Sequence, residues 1–534
     1  MAVVRVVVGF SLLLVAVPRD ARALPAFARR FNLACGACHS AVPRLNAFGE
    51  RFHENGFKPP GTMEPPLPAT WKEAIKDTMA VWTRGEFFER SEFGTSPTSR
   101  QGFAVPEHAS VYVAGPLTAS TSVFLELENT VHETDINKHG DFVNSDTGGA
   151  QKAFLMVDLP MLFGLHGGHS MAHMDHMTMD PDHPMDMEMG GMAAMGDGLV
   201  GHGPMVMIGR VDPSTNFSYP VDRQLFHDVP ADTSEAVGSG KTAAGGMVLR
   251  FALNPYAFGA KFFGIFKRGD HTLLPTEPAL YHTESAPGVD FHGRLFASKV
   301  LYQFGFTSDA APEFTDRFHT FVPYTMLRYD FGDQDGLNGS VSILGNYGRN
   351  AYKVFYLKPT PLPPILPGTV SPRHTPPPPP GRGFVNGEQD LDVWREGIGG
   401  NLRRGPWDMY TAYMYDQVFD VPDRLAGRFE RKAQGLTAEV DYRLTHSLVP
   451  SLRYDWMKAG GFKSDVIFEP GPRQSQVLSM QMRWYVFEGD NLAKVPAPAL
   501  LAVSLRDSVN LTPGGSHPFG AWRNSMFLGF DLAF

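Results

Sequence analysis

The stretch Leu436 to Trp456, LTAEVDYRLTHSLVPSLRYDW, decides the fold. Leu436, Ala438, Val440, Tyr442 and Leu444 alternate with Thr437, Glu439, Asp441 and Arg443. After Thr445-His446-Ser447, one face is taken up again by Leu448, Pro450, Leu452, Tyr454 and Trp456, with Arg453 and Asp455 opposite. Successive side chains of a strand point to opposite faces, so this is a hairpin with one apolar and one charged face. A slip of one residue would exchange the two faces, so the register is specified. Strands of about ten residues with aromatics at their apolar ends can cross a membrane when tilted.

Working outward, the same alternation occurs in Leu117, Ala119, Thr121, Val123, Leu125 and Leu127 against Ser122, Glu126 and Glu128. The chain ends with Met526, Leu528, Phe530, Leu532 and Phe534 on one face, and a terminal aromatic of this kind resembles the sorting signal of outer-membrane barrels. About seventeen such segments lie between 79 and 534, and bacterial single-chain barrels have even strand numbers. The expectation is an all-β chain, a transmembrane antiparallel β-barrel of about 16 strands over residues 79–534. Its wet lumen would be lined by Glu126, Glu128, Glu439, Asp441, Arg443, Arg453 and Asp455. Composition agrees: only 19% of the 534 residues are charged, 12% are aromatic, and mean hydropathy is -0.18. After residue 20 no apolar run reaches the ~18 residues of a spanning helix. A net charge of -9 without a basic run gives no footprint for nucleic acid. No hydrolytic triad, phosphate-binding loop or dinucleotide fingerprint is present, so those enzyme classes drop out.

Residues 1–23 read as a signal peptide: Arg5, an apolar stretch from Val6 to Val17, then Ala21-Arg22-Ala23 before the cut. The two cysteines of the chain stand in Cys35-Gly36-Ala37-Cys38-His39, the C-x-x-C-H of c-type haem attachment. Two thiols secure the vinyl edge of the porphyrin, and the next residue supplies an imidazole to the iron. Residues 24–75 thus form a small, helical haem module, expected to be periplasmic or to plug the barrel. Leu45, Phe48 and Phe52 predict a short amphipathic helix over Arg44 to Glu54 against the haem. Cys35, Cys38, His39 and His53 are the cofactor candidates. For the second axial position, Met63 and Met79 stand beside His53, and a Met ligand would raise the potential relative to His.

Pro25 to Arg29 (PAFAR), the C-x-x-C-H, Pro43 to Phe52 (P-x-L-N-x-F-G-x-x-F) and Asn55 to Phe57 (NGF) together resemble the haem segment of fused outer-membrane monohaem cytochrome c-porins of iron-oxidising and metal-cycling bacteria. The resemblance covers about 35 residues. It implies one covalent haem c and Fe(II) as the extracellular metal donor. Electrons would pass to a periplasmic carrier, a cytochrome or a cupredoxin, across the outer membrane and its lipid. In enzyme terms this would be Fe(II) oxidase activity.

Two insertions stand apart. Residues 166–207 hold eleven Met and six His, including His166, His169, Met171, His173, Met174, His176, Met177, Met179 and His183. Thioethers with imidazoles select soft metals, copper above all, so this loop is a candidate copper site. Strand counting turns it to the periplasm. Residues 358–383 carry the run Pro376 to Pro380, an extended polyproline segment that cannot pair in a sheet and faces outward from the cell. Two other functions therefore stand beside electron transfer: a copper-handling outer-membrane protein, and a passive porin.

Overall fold

The computed structural model describes residues 25–60, 68–92, 99–131, 146–163, 203–211, 286–307, 322–332, 336–358, 383–423, 427–460, 473–488, 500–511 and 522–533, except 32, 34, 69, 297 and 446, with short pieces at 135–136, 142–143, 216–217, 267–268, 271–272 and 276–278. The signal peptide, most of the Met/His-rich insertion and the Pro-rich insertion lie outside the described residues.

Alternation becomes sixteen barrel strands, β1 Met79–Glu92, β2 Ser99–Pro116, β3 Thr121–Val131, β4 Asp146–Asp158, β5 Met205–Val211, β6 Ala286–Leu295, β7 Val300–Thr307 and β8 Val322–Gly332 forming the first half. The second half is β9 Leu337–Lys358, β10 Gly383–Arg404, β11 Trp407–Asp423, β12 Gly427–Tyr442, β13 Leu448–Gly460, β14 Arg473–Glu488, β15 Leu500–Asn510 and β16 Trp522–Ala533. Each pairs antiparallel with the next, and β16 returns to β1 with Asp531 opposite Arg84, closing the ring. A three-residue piece, Thr276–Pro278, pairs with β9 at Tyr352–Val354. Closure satisfies every edge, which is what a spanning sheet requires.

The hairpin at 436–456 sits in the register its sequence dictates, with Ala438 opposite Tyr454 and Val440 opposite Leu452. Glu439, Asp441, Arg453 and Asp455 point inward and are buried, while Leu452 on the outer face is 46% exposed. Outward apolar side chains recur around the ring, among them Leu155, Ile208, Leu327, Ile343 and Met480. On β16, Met526 is exposed and Phe527 and Asp531 are buried.

Three boundaries differ from expectation. Leu117 to Ser120 form the turn rather than strand, because the Thr118 hydroxyl accepts from the backbone N–H of Ser120 and Thr121. Met205 and Met207, read as part of the Met/His insertion, belong to β5 and are buried in the barrel. The predicted helix over Arg44 to Glu54 begins later: Asn46 caps it by accepting from Gly49 N at 2.9 Å, and Arg44 and Leu45 are extended.

The N-terminal segment folds inside one mouth of the barrel. It consists of helices α1 Pro25–Phe31, α2 Cys35–Cys38 and α3 Ala47–Glu54, with a small hairpin of His39–Ala41 against Arg44–Leu45 between the last two. A fourth helix, α4 Trp71–Thr78, leads directly into β1 across the expected module boundary, and its Thr70 and Glu73 form a reciprocal N-terminal cap. An aromatic cluster seats this plug: Phe52 and Phe57, with Phe27, Phe31 and Phe48 against them, pack on Phe124, Phe154, Met156, Met205 and Met207 of β3 to β5. Phe57 adopts φ 59°, a left-handed backbone that costs about 1 kcal/mol. Its ring stacks at 5.2 Å on Phe27 and 5.5 Å on Phe124, and burying one such side chain contributes about 1.5–3 kcal/mol, which outweighs the strain. Beside the plug the inner wall of β3 to β5 thus carries an apolar patch, Phe154, Met156, Met205 and Met207, next to the buried charges Glu126, Lys152 and Asp158.

Candidate functional site

The C-x-x-C-H sequence forms one helical turn followed by the tight hairpin. Neither cysteine is in a disulfide; Cys35 is buried and Cys38 half-buried. Burial pushes the Cys38 thiol up to about 12. Reversal of the chain at Val42-Pro43 brings two backbone carbonyls to the His39 ring, whose Nδ1 lies 3.1 Å from Pro43 O and 3.2 Å from Arg44 O. Carbonyls only accept, so Nδ1 carries a proton, and in the neutral ring Nε2 keeps its lone pair. Metal-binding imidazoles are oriented in this way, by the ring nitrogen that does not bind.

Asn46 ties the turn to α3. Its amide donates to Gly36 O at 3.1 Å and Ala37 O at 3.0 Å, and its backbone N–H donates to Cys38 O at 2.9 Å. Gly49 then lies directly against the Cys38 carbonyl, where a Cβ would collide with the oxygen and stand 3.0 Å from Leu45 Cδ2. Gly49→Ala should loosen α3 from the cysteine turn by about 1–3 kcal/mol. The expected result is faster proteolysis within residues 25–60 while the barrel stays folded; an unchanged cleavage rate would contradict this packing.

His53 is four residues beyond Gly49 and so shares the face of α3 that packs on the cysteine turn. Its ring stands edge-on to Phe57 at 5.3 Å. Met79 is the first residue of β1, and its carbonyl accepts from Arg29 at 2.8 Å. Met63 lies outside the described residues, as do His166, His169, Met171, His173, Met174, His176, Met177, Met179 and His183. The described chain on either side of the undescribed part of that insertion meets where Leu159 N donates to Pro204 O at 3.2 Å, next to Asp158, the partner of Lys58 in the plug. Among the described residues no three His, Cys, Asp or Glu side chains gather as a metal site.

Polar contacts from the wall hold the plug in several directions. Ser40 donates to Asp408 at 2.7 Å, Tyr485 to Val42 O at 2.7 Å, and Arg403 to Leu45 O and Glu50, each at 2.8 Å. Lys58 reaches Asp158 at 3.3 Å and Arg30 reaches Pro116 O at 2.8 Å. The densest group surrounds Glu54 at the end of α3. Arg294 holds both of its oxygens, at 2.7 and 3.0 Å, and Arg328 adds a contact at 2.5 Å. Both arginines also reach Asp330, at 2.7 and 2.9 Å, and His292 joins the Glu54 carbonyl at 3.1 Å and Asp290 at 2.7 Å. Sequence reasoning missed this clamp, although Asp290, His292 and Arg294 at spacing two carried the signal of a polar inward face. The lumenal carboxylates read as wet are, at this mouth, buried against plug residues: Glu439 and Asp441 face Arg44, and their side chains are 0% and 4% exposed.

A closed antiparallel ring with an apolar exterior, a charged interior and a folded segment in one mouth defines a plugged β-barrel of the transmembrane type. No family model and no curated protein matches the chain. Similar solved structures include a loop L8 deletion form of OmpT, an outer membrane protein of Vibrio cholerae, with 10% identity and a TM-score of 0.43 over 85% of this chain and 98% of that one. Salmonella typhi OmpF in complex with daunomycin is similar at 12% identity and a TM-score of 0.39, over 85% of this chain and 97% of that one. The outer membrane channel DcaP of Acinetobacter baumannii is similar at 10% identity and a TM-score of 0.38, over 85% and 96%. The barrel assignment rests on the strand pairing itself.

Proposed function

We propose that the chain is an outer-membrane electron-transfer protein of the cytochrome c-porin kind, passing electrons from an extracellular metal donor, Fe(II), to a periplasmic carrier. One covalent haem c would be held by Cys35, Cys38 and His39. The observation that carries this reading is the His39 ring, whose Nδ1 faces two carbonyls in a C-x-x-C-H turn whose cysteines form no disulfide. That donor set fits the group: two thiols for the vinyl edge and one oriented Nε2 for the iron. When bound, the haem supplies reversible one-electron chemistry.

The chain's own residues supply the rest. Asn46 and Gly49 fix the cysteine turn, and Ser40, Val42 and Leu45 are tied to the wall, so the ligand hairpin is rigid before any donor arrives. His53 would be the next residue to help hold the group, because it shares the Gly49 face of α3. A single centre held by the plug would not bridge an apolar band of about 25 Å, so the donor would have to enter the barrel from outside. The apolar exterior provides the contact with membrane lipid.

Fe(II) added to whole cells should produce the reduced haem spectrum of this protein, and cells carrying Cys35→Ala/Cys38→Ala should give none. A spectrum that dithionite reduces and Fe(II) leaves oxidised would reject Fe(II) as the donor.

A further inference from the structure

We propose that Glu439 and Asp441 of the barrel wall are positioning residues for the His39 ring, acting through Arg44. The inference rests on the haem reading above and adds to it: the barrel would set the orientation of the iron ligand, beyond holding the module in place.

Arg44 is the junction. Its carbonyl faces His39 Nδ1 at 3.2 Å, and its side chain, 1% exposed, runs into the wall. There Nη2 donates to Glu439 Oε1 at 2.7 Å and Nη1 meets the Asp441 carboxylate. The guanidinium also lies over the Tyr410 ring of β11, 3.9 Å from its centre. Glu439 and Asp441 are two apart on β12, so both carboxylates face inward at one point. They are themselves fixed from behind, since Arg453 stands 3.9 Å from Glu439 and 2.7 Å from Asp455, which accepts from Thr437 at 2.6 Å. A planar guanidinium held by two carboxylates and an aromatic face has little rotational freedom. The Arg44 backbone inherits that restraint, and its carbonyl is one of the two acceptors that aim the imidazole. Groups hydrogen-bonded directly to a ligating histidine commonly change metal affinity or activity about 10–100-fold, and the Arg44 carbonyl stands in that position.

The test uses the full-length, haem-loaded protein from membranes. Two variants are compared with the parent: Arg44→Lys, which keeps the charge and loses the fork, and Glu439→Gln/Asp441→Asn, which keeps the shape and loses both charges. Heat-modified gel mobility reports the barrel, and haem staining reports attachment. The ferric low-spin resonance spectrum reports ring orientation. With barrel and staining retained, both variants should split or broaden the low-spin signal. The oxidised-to-reduced ratio at fixed potential should change about tenfold, equivalent to 59 mV for one electron. If the double variant fails to fold, Asp441→Asn alone, which leaves the Glu439 contact, is read in the same way. An unchanged resonance spectrum in folded, stained variants overturns the positioning role and leaves the haem reading standing. A parent protein without covalent haem overturns both.

Discussion

Arg294→Ala/Arg328→Ala should turn a closed barrel into an open pore. Glu54 sits at the end of α3 with its side chain 1% exposed, and these two arginines provide its ion pairs. Removing a partner from a buried ion pair costs about 3–5 kcal/mol, because the remaining charge is left out of water. With both arginines gone Glu54 is left a buried charge without these two partners, so the end of α3 should leave the wall and water should enter the mouth there. In planar bilayers the parent should be nearly silent, while the variant should show the large steps of a wide barrel, since sixteen strands enclose an aqueous channel when unplugged. Arg328→Lys, retaining a charge without the fork, should fall between. A parent that already conducts as a wide pore would favour the passive-porin reading and contradict a seated plug.

Cys35→Ala/Cys38→Ala should remove covalent haem altogether while sparing the barrel. On the proposed reading each thiol would secure one vinyl group, so either single variant should retain one thioether and reduced staining, and the double variant none. The fold should survive, because the plug is seated by Phe27, Phe52 and Phe57 and by the Glu54 clamp, and none of these contacts involves a cysteine. His39→Ala separates attachment from ligation: staining should persist and the low-spin spectrum should vanish. Haem-stained gels and optical spectra of membrane fractions read all four variants. Full staining of the double variant would refute the assignment.

The barrel was legible in the sequence because period-two alternation is a local signal, repeated often enough to survive individual errors. At 436–456 both faces of the hairpin stand as the alternation has them. Boundaries were less legible where capping chemistry decides: Thr118 made a turn of residues whose polarity alternates like a strand, and Asn46 delayed the start of α3. The C-x-x-C-H motif marked Cys35, Cys38 and His39, but not what surrounds them. Arg44 and Glu439 are 395 residues apart, and Arg294 and Glu54 are 240 apart. Nothing in local spacing couples such pairs; only closure of the ring brings them together. Met205 and Met207 misled for the opposite reason, as strand residues adjoining a tract of the same composition.

The central claim, a covalent haem in the plug of a transmembrane β-barrel, is tested most directly by the intact mass of the full chain purified from membranes and treated with an alkylating reagent under denaturing conditions. The account predicts a single species carrying one haem and no alkyl groups, both thiols being consumed as thioethers. A haem-free chain that takes up two alkyl groups, at Cys35 and Cys38, would contradict it.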